Sequence, residues 1–242
     1  MQKRLTTILV LMALAALLCA TYALADPVAP TTLTNGTATQ RNLSLLAAQT
    51  VNAQGGYVTP VNISALAITQ HWQGYYGDVT GTIVLADGNN ETMYNWSMST
   101  VTGEIYATRD STPTWAGVSC ADVADINTED TYLNMTGADA DSVNLTFDYG
   151  KSHPAFSVGA TSIAADSCAA TNAFDDTGAQ VLDFFQVLLE DGTSSIIYAT
   201  VIDDGATGFD SGAYDFELMV GEDEEPGSAG VTAYYFWVEL GS

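Results

Sequence analysis

Val181-Leu182-Asp183-Phe184-Phe185-Gln186-Val187-Leu188-Leu189-Glu190, Asp191-Gly192-Thr193, and Ser194-Ser195-Ile196-Ile197-Tyr198-Ala199-Thr200-Val201-Ile202 decide the fold class. Two strand-length runs rich in β-branched and aromatic residues flank an Asp-Gly turn, where glycine tolerates positive φ. That pattern predicts a β-hairpin. Ile196, Ile197, Tyr198, Ala199, Val201 and Ile202 are apolar on both faces, as in a central strand covered on two sides. Working outward, Val79 to Ala86 and Thr92 to Met98 flank Asp87-Gly88-Asn89-Asn90, a second hairpin. Further strands are expected at Gly103–Thr108, at Tyr214–Val220 with its alternating polarity, and over the aromatic run Val231–Leu240. Only Cys120–Glu129 invites a short helix. The expected class is all-β: an antiparallel β-sandwich or jelly roll with one short helix in a loop.

The expected organisation has three parts. Met1-Gln2-Lys3-Arg4, an apolar run from Leu5 to Ala20 and Ala23-Leu24-Ala25 read as a signal peptide over residues 1–25, cut before Asp26. The competing reading is a retained membrane helix; no later apolar run is long enough to span a bilayer, so no membrane span is expected after cleavage. Residues 26–54 form an extended lead segment. Leu43, Leu45, Leu46, Ala47, Ala48 and Val51 could serve it as a donor strand for a neighbour's sheet edge. Residues 55–242 form a single β-sandwich domain.

The mature part would keep Arg41, Arg109 and Lys151 as its only Lys and Arg residues against 29 acids, a formal charge of −26. Phosphate binding needs a basic footprint, so nucleic acid is excluded as a partner. With 14% charged and 47% hydrophobic residues, the chain is no disordered acidic tail. Such a field favours solubility and attracts cations. Without Cys19, Cys120 and Cys168 remain: an even pair in an exported chain, read as one disulfide. A loop of that length would stabilise by about 4 kcal/mol in the chain-entropy treatment.

Asn-x-Ser/Thr sequons begin at Asn35, Asn42, Asn62, Asn90, Asn95, Asn134 and Asn144, seven where about two are expected from 11 Asn and 46 Ser plus Thr in 242 residues. Thr- and Asn-rich surfaces also generate sequons idly. Alternation in Val143–Tyr149 puts Asn144 on the wet face of a strand; near Asn95, Tyr94, Trp96 and Met98 share the opposite face. Sugars there would cover exposed sheet and block unwanted edge pairing.

Acidic clusters could hold Ca²⁺, which takes six to eight oxygen ligands. Asp203, Asp204 and Asp210 are the preferred candidate ligands, since Gly205 and Gly208 let that loop fold tightly. None of the clusters has a full calcium-loop spacing, and solvated turn acids are the plainer reading. Calcium is therefore the one cofactor considered. No nucleophile motif or phosphate-cradling loop with Lys occurs, so no catalytic residue is expected and the protein is read as a non-enzyme. In His71-Trp72-Gln73-Gly74-Tyr75-Tyr76-Gly77, Trp72 and Tyr75 could stack on sugar rings or cap the core.

Gly56-Tyr57-Val58-Thr59-Pro60 through Gly81, including Gln70–Gly77, and on through Asn95-Trp96 towards Cys120, resembles a group of uncharacterised exported archaeal proteins. The resemblance covers about a third of the mature chain and implies an archaeal cell-surface context, similar to S-layer, sheath or filament-like subunits. It carries no catalytic residues. The expectation is an extracellular structural glycoprotein whose partner is itself, with a carbohydrate- or calcium-binding surface module as the alternative. A conventional membrane anchor at the C-terminal end is missing from the pattern.

Overall fold

A computed structural model describes residues 26–43, 47–223 and 232–241. The expected leader, and Leu45 and Leu46 of the expected donor strand, lie outside them. In chain order the first strands are β1 (Trp72–Gly77), β2 (Thr82–Ala86), β3 (Thr92–Ser97), β4 (Thr102–Thr108) and β5 (Ser119–Cys120). Helices α1 (Val123–Tyr132) and α2 (Val143–Thr146) follow. Then come β6 (Phe156–Val158), β7 (Thr161–Ile163), β8 (Ala170–Phe174), β9 (Gln180–Glu190) and β10 (Ile196–Asp203). The last four are β11 (Ala206–Thr207), β12 (Ala213–Tyr214), β13 (Phe216–Gly221) and β14 (Tyr235–Gly241). The fold is all-β with antiparallel sheets and one helix of ten residues.

The hairpin β9–β10 lies at the centre of a six-stranded sheet of order β14-β4-β10-β9-β5, with β8 also on β9. Side chains alternate between two buried faces, as expected for a strand covered on both sides. Ile105, Leu188, Ile196 and Tyr198 point into one core, closed by the β1–β13 pair and the two helices. Tyr106, Val187, Leu189 and Ile197 point into the other, closed by Trp115, Val118 and the β6–β7 hairpin. Gln186 ties the layers together: its buried Oε1 accepts the Met219 N–H at 2.8 Å.

The outer edge of β9 is covered end to end by two short pieces. Cys120 faces Leu189, while Ala170 faces Val187. The Cys120–Cys168 disulfide, with Cα atoms 5.0 Å apart, links them at their junction. Beside it His153 is buried; its Nε2 accepts the Ser167 and Cys168 amides, each at 3.1 Å, so its proton sits on Nδ1, facing the Pro154 carbonyl. Arg109 makes the one ion pair among the described residues, a fork on buried Glu129 of α1, whose Oε1 also accepts from Tyr198.

Two local expectations change. Val143–Thr146 is a helical turn, not a strand: Ser142 caps it by accepting the Leu145 N–H, and Asp130 accepts the Val143 N–H at 2.6 Å. Capping overrides a short alternation, since it satisfies the free amides at a helix start. The predicted helix is present but shifted, starting where Asp122 and Asp125 form a capping box. Residues 47–70 form no strand, and β1 opens at Trp72.

Candidate functional site

Asp87 builds the tip of the β2–β3 hairpin: its Oδ1 accepts the N–H groups of Asn89 and Glu91 at 2.9 and 2.8 Å, and Asn90 takes a φ of 64°. Those two amides hold the exposed Asp87 carboxyl below its ordinary range, the Glu91 amide most strongly. Register then sorts the side chains. Ile83 faces Trp96 and Leu85 faces Tyr94, so these four share one side; Val84 faces Asn95 on the other. Tyr94 and Trp96 pack with their rings tilted, centroids 4.8 Å apart.

Every residue of both strands is exposed. The apolar side has no second layer among the described residues, although Ile83, Leu85, Tyr94 and Trp96 are the kind of set that sheets normally bury. Only the base of the hairpin is tied down, where Met98 donates to the Gly81 carbonyl and packs beside Leu240. The sequon at Asn95 projects from the opposite side and that at Asn90 from the tip, so sugars on them leave the apolar side open.

The stretch that follows the lead segment presents a matching pattern. Val61, Ile63 and Ala65 alternate with Asn62 and Ser64; Val58 and Ile63 are 100% and 86% exposed, and no strand pairs with them. Ala47, Ala48 and Val51 are exposed as well, and Leu43 is half-buried. The whole stretch from Val28 to Thr69 is fixed at both ends. Val28 exchanges two backbone hydrogen bonds with Val238 on the free edge of β14, and Thr69 bonds Asp141. All seven sequon asparagines, Asn35, Asn42, Asn62, Asn90, Asn95, Asn134 and Asn144, lie at exposed positions.

No family model, curated protein or solved structure matches this chain.

Trp72 and Tyr75 are half-buried in the first core. The Trp72 ring lies 6.0 Å from Phe147 and its Nε1 donates to the Asp141 carbonyl at 2.6 Å; Tyr75 packs edge-on against Phe236. They nevertheless border a cleft of about 380 Å³ rimmed by Gln40, Gln70, Gln73, Glu222 and Thr232. Asp203, Asp204 and Asp210 are not gathered into a chelating group: among the described residues no three Asp, Glu, His or Cys side chains are close enough to hold a metal ion. Asp210 instead accepts from Gly212 and Tyr214 within its own turn. The residues that organise that loop are Asp215, which accepts from Gly205 and Val79, and Glu217, which accepts from Phe209.

Sequence reasoning missed one group. Glu104 on β4 and Glu239 on β14 are directly opposed partners on the same side of the sheet, with Asp26 beside them. Burial, reinforced by Glu239, pushes the Glu104 carboxyl up to about 8. Burial also raises the Glu239 carboxyl, with its bonds to Gly159 and Tyr106 opposing and Asp26 adding to the rise. Alternation along each strand could have placed both acids on a buried side, but only the register shows that they meet.

Proposed function

We propose that this protein is an extracellular structural glycoprotein, exported by a leader cut before Asp26, that self-associates as a subunit of a cell-surface layer, sheath or filament. The observation that carries this reading is the β2–β3 hairpin with its open apolar side. An isolated two-stranded hairpin is marginal in water, and contiguous exposed apolar surface marks a contact site. A second copy is the partner that fits. Residues 57–68 of that copy, which follow its lead segment, are exposed and strand-patterned, and Asn62 lies on the polar side of that pattern as Asn95 does on the hairpin. The disulfide and the sequon density suit permanent life outside the cell, and the resemblance to archaeal surface glycoproteins points the same way.

Electron microscopy of the purified secreted glycoprotein tests this directly. Polymers or sheets are expected from the native chain, and dispersed particles from an Ile83→Asn/Trp96→Gln variant that keeps its circular dichroism. Dispersed native particles, or unchanged polymers in the variant, overturn the reading.

The Trp72 cleft supports a second reading, a carbohydrate-binding surface module, since aromatic edges and amide side chains converge there. Glycan-array binding that disappears in Gln73→Ala and Glu222→Gln would favour it; no binding by the native protein would remove it.

A further inference from the structure

Glu104 and Glu239 present an electrostatic problem that the described chain leaves open. Two carboxylates directly across a strand pair repel each other. Glu239 is 9% exposed, and its Oε2 accepts the Gly159 amide at 2.8 Å and the Tyr106 hydroxyl at 3.3 Å. Among the described residues, the charged groups that act on the pair are each other and Asp26, all of one sign. Arg109 is committed to Glu129 in the other core, and Lys151 bonds Gln180. Buried charges are retained where they are paired.

The missing partner can come from the chain itself. The Val28–Val238 bridge draws the start of the lead segment onto the edge of β14, and Pro27 is buried there. Asp26 then packs against Gly159, its Cα 3.4 Å from where a Cβ on that glycine would stand. Gly159 is the residue whose amide binds Glu239, so the backbone of the exposed Asp26, with its nitrogen one bond from the Cα, runs against the turn that holds Glu239. Within an intact precursor that nitrogen is a neutral amide. Hydrolysis of the Ala25–Asp26 bond leaves a carboxylate on the leader and an ammonium on Asp26.

We propose that the α-ammonium of Asp26 is the counter-ion of the Glu104–Glu239 pair, so that removal of the leader locks the new terminus onto the edge of β14. This rests on the export reading with a cut before Asp26. The device ties maturation to stability: the processed chain gains an ion pair to the buried Glu239 that the precursor lacks.

Two measurements test it. Mass spectrometry of the secreted protein first establishes whether its terminus is Asp26, which decides the cleavage reading alone. Chains made to begin at Asp26 then decide the proposal. Because Lys151 would supply the only other amine of that chain, ¹³C-dimethylation gives two resonances to titrate. The terminal one is expected to titrate at least one pH unit above the ordinary α-amino value of about 8, and to fall back in Glu104→Gln and Glu239→Gln. A chain beginning at Ala23, whose ammonium is displaced by three residues, is expected to melt about 4 °C lower. An ordinary value in the native chain, with equal melting of the two chains, overturns the proposal while leaving export intact. The native titration decides even if a variant fails to fold.

Discussion

Gly103 has a φ of +129°, and a Cβ built on it would lie 1.9 Å from the Glu239 carbonyl oxygen. Neither the backbone conformation nor the space admits a side chain, because β14 runs against β4 there. Gly103→Ala is therefore expected to cost about 3 kcal/mol or more, read as a lower melting temperature. Gly88→Ala, in open space on the hairpin tip, should change it little. His153 shows a second residue-scale constraint. Replacing it by Phe keeps the apolar contacts with Phe156 and Phe185 but strands the buried Cys168 amide and the part-buried Ser167 amide, at about 1–3 kcal/mol for the buried one; denaturant melts would register the loss.

Among the elements, those that reveal themselves in sequence have a strong local signal. The Asp-Gly turn and the two-sided apolar run mark β9 and β10, and the Asp87–Asn90 turn marks β2 and β3. Elements missed have none: β8 and the β6–β7 hairpin are short and take shape by packing on strands far along the chain. Of the candidate site, the sequence placed the sequons and the apolar side of β3 but not its lack of a covering layer, which is a property of the whole body. It offered core capping as one of two readings of Trp72, and the ring packs on Phe147. The disulfide belongs to this scale as well. It joins the two strand pieces along β9 with a sequence separation of 48. A Cys120→Ser/Cys168→Ser variant should lose about 4 kcal/mol, visible as an earlier unfolding midpoint.

For the whole molecule, stability should depend on pH in two windows of opposite sign. Asp87, Asp139 and Asp175 are held below the ordinary carboxylate range, mainly by turn amides and, for Asp175, first by the Thr177 hydroxyl. Their contribution is present above that range and lost as acid protonates them. Glu104 works the other way in a chain still carrying residues ahead of Asp26. Unfolded it titrates near 4.5, folded near 8, so its folded state holds the proton more tightly. Its stabilising contribution is complete below 4.5 and lost as the pH rises towards 8. Melting temperature should therefore fall between pH 5 and about 8 in that chain, fall less once the Asp26 ammonium is free, and flatten in Glu104→Gln. A rise over that interval would contradict the assignment.

At this largest scale the proposal is that the hairpin and residues 57–68 are contacts between copies. Hydrogen exchange of the secreted material, measured peptide by peptide, addresses that claim most directly. The account predicts slow exchange over residues 57–68 and 82–97 in native particles and fast exchange of the same amides in dissociated chains, with the central sheet slow in both. Equally fast exchange of both segments in native particles would contradict it.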